Sequence, residues 1–264
     1  MPTATLNGIE VHYERAGSGL PLLFCNGSGA TLESSAPVIR RFREHFDVVA
    51  HDQRGLGRTS IPPGPYTMAD YAADAAALLD HVGWSRCAVV GISFGGMVAQ
   101  ELAVTWPERI TRLALVCTSS GGAGRPSYPL HELAELPPDE QAARALTLLD
   151  TRFSPEWLAS HPVDRAIVEG RAQRNAVDKT GEQRRGELEQ LGARRGHDVW
   201  DRLTNITCPT LVAGGRYDGI APPANSEAIA SRIPGAELRL YEGGHLFFLQ
   251  DPAAFPDLLA FLAG

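Results

Sequence analysis

The sequence is poor in cysteine, and its few cysteines form no recognisable pattern. Cys25, Cys87, Cys117 and Cys208 are the only four in 264 residues, and they lie far apart. No Cys-x-x-Cys pair and no Cys/His set has the spacing of metal ligands. We therefore predict reduced thiols buried as small apolar side chains, without a metal site.

Clustered positive charge is also missing. Lys179 is the only lysine among 24 basic residues, and the net charge is −7. Because the arginines are scattered, the sequence presents no electrostatic footprint for a phosphate backbone. We predict no nucleic-acid partner.

Long apolar runs are absent as well. None approaches the roughly 18 residues of a membrane-spanning helix, and the N-terminus has neither the basic nor the apolar region of a secretory signal. The expectation is a soluble, cytoplasmic protein with no membrane partner, of undetermined oligomeric state.

The sequence does contain short apolar runs that alternate with amphipathic stretches. Residues 9–15 have the period-2 pattern of a half-exposed strand, whereas later runs are continuously apolar, as in strands covered on both faces. Such strands are predicted at 21–26, 46–52, 86–92, 111–118, 209–215 and 237–244, and helices at 68–82, 94–106, 222–232 and 252–263. This alternation predicts an α/β fold with a mostly parallel, doubly wound sheet that starts antiparallel.

The segment 124–205 has no convincing strand pattern. Its sequence pattern predicts helices at 139–149, 163–175 and 182–191. The segment is therefore a helical insertion in an otherwise regular α/β chain. We predict a core domain of residues 1–123 and 206–264, with residues 124–205 as a helical cap.

A serine stands between the continuously apolar run 86–92 and the helix 94–106. Gly91 to Gly95 reads Gly-Ile-Ser-Phe-Gly, which fits the nucleophile elbow G-x-S-x-G with Ser93 as nucleophile. Its glycines are needed because side chains there would collide with neighbouring backbone.

An elbow serine needs a histidine base and a carboxylate that orients the histidine. Asp218 and His245 each follow a predicted strand, in the chain order that this architecture requires. The loop after the strand 111–118 contains no acid, and Asp52 precedes the serine, which favours a structural role for Asp52. We predict Ser93, Asp218 and His245 as the catalytic residues.

Two backbone N–H groups are expected to stabilise the oxyanion. One belongs to Phe94, at the N-terminus of a helix whose dipole favours negative charge. The other is assigned to Ser28, in the glycine-containing loop after the strand 21–26.

These motifs together resemble those of the α/β hydrolases. The resemblance spans nearly the whole chain, through the loop 26–29, the turn 52–59, the elbow 91–96, Asp218 and Gly244-His245. Asn26 and Thr59 depart from the histidine and serine that the family usually has there. Residues 52–59, 62–67 and 95–98 are similar to 3-oxoadipate enol-lactonases and small esterases, whereas 26–30 is similar to the oxyanion loop of carbon–carbon bond hydrolases.

The resemblance implies a cofactor-free serine hydrolase of a small carboxylic ester or lactone. Hydrolytic carbon–carbon cleavage and perhydrolysis on the same triad remain alternatives, as does a non-enzymatic ligand-sensing role. Within the predicted cap, Trp157, Phe153 and Arg125 are candidates for substrate binding.

Overall fold

An eight-stranded sheet lies at the centre of the computed structural model, which describes residues 2–133, 136–175 and 178–264. The strands are β1 (Thr3–Leu6), β2 (Ile9–Ala16), β3 (Leu20–Cys25), β4 (Phe46–His51), β5 (Cys87–Ile92), β6 (Ile110–Val116), β7 (Thr210–Gly215) and β8 (Glu237–Tyr241). Their spatial order is β1-β2-β4-β3-β5-β6-β7-β8. The pairs β1/β2 and β2/β4 are antiparallel and the others are parallel, which confirms the predicted sheet.

Helices follow most of the strands. They are α1 (Leu32–Arg43), α2 (Met68–His81), α3 (Phe94–Thr105), α4 (Leu130–Leu133), α5 (Pro138–Leu149), α6 (Pro155–Ser160), α7 (Pro162–Asn175), α8 (Gly181–Arg195), α9 (Pro223–Arg232), α10 (Phe247–Gln250) and α11 (Ala254–Ala263). Within the described ranges, no helix combines the length and the apolar character needed to cross a bilayer.

The two faces of the sheet are covered by different helices. On β5, Val89 packs into a hydrophobic cluster with side chains of α2 and α3, whereas Val90 packs into a second cluster with side chains of α1 and α11. Both faces are therefore buried, and this explains why the central strands are continuously apolar in sequence. The doubly wound α/β architecture is confirmed.

Several elements were not expected from the sequence. The helix α1 contains Pro37 and two serines in its first turns, which obscure a helical pattern, but Thr31 and Ser34 form a capping box at its start. The strand β1 has only four residues, and α10 has only four. The last helix begins at Ala254 rather than at residue 252.

The helices α4 to α8 all lie between β6 and β7 in the chain. An antiparallel bridge joins Gly121 to Asp198, so the two ends of this segment lie side by side. Val199, Leu203 and Ile206 already belong to the cluster under α2 and α3. The division of the chain at residues 123 and 205 stays a prediction.

Candidate active site

Ser93 stands on a sharp turn between β5 and α3. Its φ of 56° and ψ of −115° are unusual for a residue with a side chain. The turn is held because the Ser93 N–H donates to the Val116 carbonyl (2.8 Å) and the Thr118 hydroxyl donates to the Ser93 carbonyl (2.8 Å). A Cβ on Gly91 would overlap the Gly95 carbonyl, and one on Gly95 would overlap the Cys25 carbonyl. The elbow therefore requires both glycines.

A hydrogen-bonded chain connects three buried side chains. The His245 Nε2 lies 2.9 Å from the Ser93 Oγ, and the His245 Nδ1 lies 2.7 Å from the Asp218 Oδ2. A carboxylate accepts, so Nδ1 carries the proton and Nε2 is left to accept from the serine hydroxyl. The tertiary structure thus brings together the three residues that the sequence predicted.

The second carboxylate oxygen of Asp218 is fixed by its own loop. Asp218 Oδ1 accepts the N–H groups of Ile220 (2.8 Å) and Ala221 (2.9 Å). These two bonds leave Oδ2 free to face the imidazole. The Asp218 side chain is completely buried, so water does not compete for it.

The loop that carries His245 is attached to α5 and α10. The His245 N–H donates to the Leu149 carbonyl (2.6 Å), and the Gly244 N–H donates to the Gln250 side-chain oxygen (2.8 Å). A Cβ on Gly244 would overlap the Leu149 carbonyl, so only glycine permits this approach. The position of the imidazole therefore depends on a helix of the predicted cap.

The loop 26–29 lies directly beside the elbow. A Cβ on Gly27 would lie 3.6 Å from the Ser93 Cβ. The Gln53 side-chain amide donates to the Asn26 carbonyl (2.6 Å), which ties the loop to the end of β4. No protein acceptor for the Ser28 N–H is found among the described residues. Phe94 is the first residue of α3, so its N–H has no acceptor within the helix.

Asp52, just after β4, bonds to backbone groups of two neighbouring segments. Its carboxylate accepts the N–H groups of Leu32 (2.7 Å) and Arg58 (3.0 Å), which joins the start of α1 to the turn 52–59. Thr59 replaces the usual serine, and its hydroxyl donates to the Asp52 carbonyl. These contacts agree with a structural role for Asp52.

The α/β hydrolase fold family matches residues 21–252 of this sequence. The chain belongs to that family. The poly(3-hydroxyalkanoate) depolymerase of Ectopseudomonas oleovorans is 32% identical over 251 residues, which cover 92% of this chain and 84% of the relative.

Enol-lactonases are similar to this α/β hydrolase in sequence and in structure. The 3-oxoadipate enol-lactonase 2 of Acinetobacter baylyi is 27% identical over 96% of this chain and 92% of the relative. The crystal structure of the enol-lactonase from Burkholderia xenovorans superposes with a TM-score of 0.81 at 26% identity, covering all of both chains. The resemblance to enol-lactonases that the motifs indicated is confirmed.

The three predicted substrate-binding residues of this α/β hydrolase lie in different surroundings. Arg125 is exposed, and its carbonyl accepts the Asn225 side chain (2.8 Å). Phe153 is buried just after α5. The Trp157 indole donates to Asp164 (2.7 Å) and stacks on His161. A role for these residues in substrate binding stays a prediction.

Two buried polar residues on α8 were not predicted from the sequence. The Gln190 side-chain oxygen accepts the Gly29 N–H (2.8 Å), so α8 lies against the loop 26–29. Arg194 follows four residues later on the same face of the helix and is only 7% exposed. Their i, i+4 spacing was visible, but nothing local distinguishes these side chains from the exposed arginines around them.

A cavity of about 270 Å³ lies between α3 and α8. Its walls include Met97, Ser119, Tyr128, Leu191, Arg194 and His197. Met97 lies one turn after Ser93 on α3, and Ser119 follows the residue that bonds to the Ser93 carbonyl. A second depression, of about 470 Å³, lies at Tyr13, Arg15 and His81, at the antiparallel end of the sheet.

Proposed function

We propose that this α/β hydrolase is a serine hydrolase that cleaves a small carboxylic ester or lactone through an acyl-enzyme. The observation that carries the proposal is the hydrogen-bonded chain from Asp218 through His245 to Ser93. The named activities of the depolymerase and the enol-lactonase relatives support the substrate class.

The first half of the reaction forms the acyl-enzyme. His245 removes the proton of the Ser93 hydroxyl as the oxygen attacks the substrate carbonyl, and Asp218 stabilises the imidazolium that results. The N–H groups of Phe94 and Ser28 donate to the developing oxyanion. The imidazolium then returns its proton to the alcohol oxygen as the carbon–oxygen bond breaks.

The second half repeats these steps with water. His245 deprotonates a water molecule that attacks the acyl carbonyl, and collapse of the intermediate breaks the bond to the Ser93 oxygen. The imidazolium protonates this oxygen and restores the resting enzyme. The proposed reaction therefore needs only the side chains and N–H groups of this chain.

We also propose that residues 124–205 act as a cap that shapes the substrate site. Two contacts support this role. Leu149, at the end of α5, accepts the His245 N–H, and Gln190 on α8 accepts the Gly29 N–H. The proposed cap thus contacts the loops of both the base and the oxyanion donors.

Covalent labelling tests the assignment of the nucleophile. Wild-type protein should react with a fluorophosphonate probe at a single residue, because Ser93 lies within hydrogen-bond distance of a histidine that is itself bonded to a buried carboxylate. Ser93→Ala should abolish the labelling and the turnover of 4-nitrophenyl esters. Ser231→Ala, at an exposed serine on α9, is the matched control and should leave both unchanged.

Two results would contradict the proposal. Labelling that persists at another residue in Ser93→Ala would exclude Ser93 as the nucleophile. A single turnover or none, on aryl esters and lactones alike, would favour ligand sensing, and turnover of dienone acids alone would favour carbon–carbon cleavage.

A further inference from the structure

The loop 26–29 has little conformational preference of its own around Ser28. Gly27 and Gly29 flank this residue, and Gly29 has a φ of 66°. Because glycine occupies positive and negative φ about equally, neither neighbour restricts the backbone on its side of Ser28. The direction of the Ser28 N–H, the proposed oxyanion donor, therefore depends on the contacts that hold the loop.

The first of these contacts lies within the chain segment itself. The Ala30 N–H donates to the Gly27 carbonyl (3.2 Å), which closes a four-residue turn, here called the turn 27–30. The Gly27 carbonyl and the Ser28 N–H belong to one planar trans peptide, so they point in opposite directions. Since the carbonyl points into the turn, the Ser28 N–H points out of it. The donor therefore keeps its direction only while the turn is closed.

Gln190 on α8 holds the same turn from outside. Its side-chain oxygen accepts the N–H of Gly29 (2.8 Å), at the centre of the turn. Gln190 is only 1% exposed, so water does not compete for this bond. Without the acceptor, the Gly29 N–H would lose its partner, and the peptide between Ser28 and Gly29 would be free to rotate toward another one.

The helix α8 presents Gln190 from a fixed position. Arg185 donates to the carbonyls of residues 61 and 62 (2.7 and 2.8 Å). A Cβ on Gly186 would overlap the Gly55 carbonyl, so the helix backbone lies directly against that residue. Gln190 follows Gly186 by four residues and lies on the same face of α8. The amide that holds the turn is therefore itself held by the core.

The two ends of the Gln190 amide are used unequally. The oxygen binds Gly29, whereas the buried nitrogen has no hydrogen-bond partner among the described residues. Buried side-chain amides normally satisfy both ends, so a role in stability alone does not account for this one. The acceptor is the end that the structure uses, and it acts on the loop of the proposed oxyanion donor.

We propose that Gln190 is a positioning residue of the reaction: it holds the turn 27–30 closed, so that the Ser28 N–H is directed at the oxyanion. The inference rests on the proposed function, since it concerns the oxyanion site of the same reaction. Gln190 touches no reacting atom. Its effect falls on stabilisation of the transition state and leaves binding of the substrate nearly unchanged.

Substitutions at Gln190 test this role with a 4-nitrophenyl ester. Gln190→Met removes the acceptor at nearly constant length and should lower kcat by about 10- to 100-fold, with less than about a threefold change in KM. Gln190→Glu keeps an oxygen for the Gly29 N–H and should retain most of kcat. Urea unfolding establishes that each variant is folded, and Gln190→Ala replaces Gln190→Met if the latter is not.

Gln183 provides the matched control on the same helix. Its side-chain oxygen also accepts a backbone N–H, that of Thr180 (2.9 Å), but at an exposed position at the start of α8. Gln183→Met therefore makes the same chemical change and removes the same kind of bond. Both kcat and KM should stay at their wild-type values.

Two further measurements follow the turn and the oxyanion site without turnover. Hydrogen exchange at the Gly29 amide should be faster in Gln190→Met than in wild type, and Gln190→Glu should retain the protection. A trifluoromethyl ketone forms a reversible adduct: the Ser93 oxygen bonds to the ketone carbon, the serine proton passes to His245, and the ketone oxygen becomes the oxyanion. Its affinity should fall in Gln190→Met by about the same factor as kcat.

The outcomes separate this inference from the proposed catalysis. Wild-type kcat in folded Gln190→Met, or a loss confined to KM, would overturn the positioning role. Equal loss of kcat in Gln190→Met and Gln190→Glu, with the Gly29 amide protected only in the latter, would overturn it too. If no ester is hydrolysed but the ketone binds wild type more tightly than Gln190→Met, the positioning role stands and the hydrolase proposal fails. If both proteins hydrolyse esters equally, the hydrolase stands and the positioning role is refuted.

Discussion

At the scale of single residues, the backbone N–H and the side chain of Ser28, in the loop 26–29, have different roles. The Ser28 hydroxyl is buried without a hydrogen-bond partner, whereas the proposed role of Ser28 belongs to its N–H. A hydroxyl without a partner contributes little to stability, so its removal should cost little. The two groups are separable by mutation.

We expect Ser28→Pro to lower kcat on an aryl ester by about 10²- to 10³-fold, since proline removes the oxyanion donor. Ser28→Ala keeps the N–H and should remain close to wild type. Steady-state kinetics measures both, with thermal unfolding to establish that the proline variant is folded. Equal loss of kcat in the two folded variants would show that the donor is not the Ser28 N–H.

At the scale of elements, Gln250 at the end of α10 joins the predicted cap to the base. Its oxygen accepts the Gly244 N–H, and its nitrogen donates to Asp150 (3.1 Å) and Asp164 (3.0 Å). Asp150 also accepts a two-point contact from Arg152. One amide therefore links the His245 loop to carboxylates of two segments of the cap.

We expect Gln250→Glu to destabilise the protein by about 1 to 3 kcal/mol and to lower kcat, because it replaces a donor by a third carboxylate beside Asp150 and Asp164. Urea unfolding and ester turnover measure the two effects. Gln173→Glu, at an exposed position of α7, makes the same chemical change and should do neither. If the two variants had the same free energy of unfolding and the same kcat, the Gln250 contacts would contribute nothing to stability or to turnover.

The helices that the sequence predicts most accurately are those with a long, uninterrupted amphipathic pattern. The helix α2 begins at Met68, as its amphipathic pattern predicts, and ends at His81, one residue before the predicted end. By contrast, α1 was not predicted, because Pro37 and two serines argue against a helix there. The Thr31 capping box and the burial of Ile39 and Phe42 contribute to its stability. Local propensity is a weak guide where tertiary packing provides most of the stability.

At the scale of the whole molecule, two buried histidines make stability depend on pH. Burial lowers the pKa of His197 to about 4 and also lowers that of His51. Between pH 6.5 and 4 the unfolded chain binds a proton at His197 that the folded chain does not. The free energy of unfolding therefore decreases as the pH is lowered through this range. Above pH 6.5 both states are neutral there and the effect disappears.

We expect this single group to account for roughly 3 kcal/mol of lost stability between pH 7 and pH 4. In urea unfolding, His197→Gln should therefore lose less stability than wild type over this range. His45→Gln, at an exposed position, is the matched control and should follow the wild-type curve. Parallel curves for wild type and His197→Gln would contradict the assignment.

The sequence by itself determined the α/β fold, the strained serine turn and the identity of the three residues joined by hydrogen bonds. These depend on local chain features: continuous apolar strands, glycines at the elbow, and the order of Ser93, Asp218 and His245 along the chain. Family resemblance added an expected reaction class. In a helix rich in charged residues, no such local feature of the sequence shows which side chains are buried.

Only the tertiary structure decided which side chains of residues 124–205 are buried. The sequence favoured Trp157, Phe153 and Arg125 as substrate-binding residues, whereas the structure buries Arg194 and leaves Arg125 exposed. The reason is physical: the burial and pairing of an arginine depend on how α8 packs against loops that are distant in sequence. Composition and periodicity do not encode these contacts.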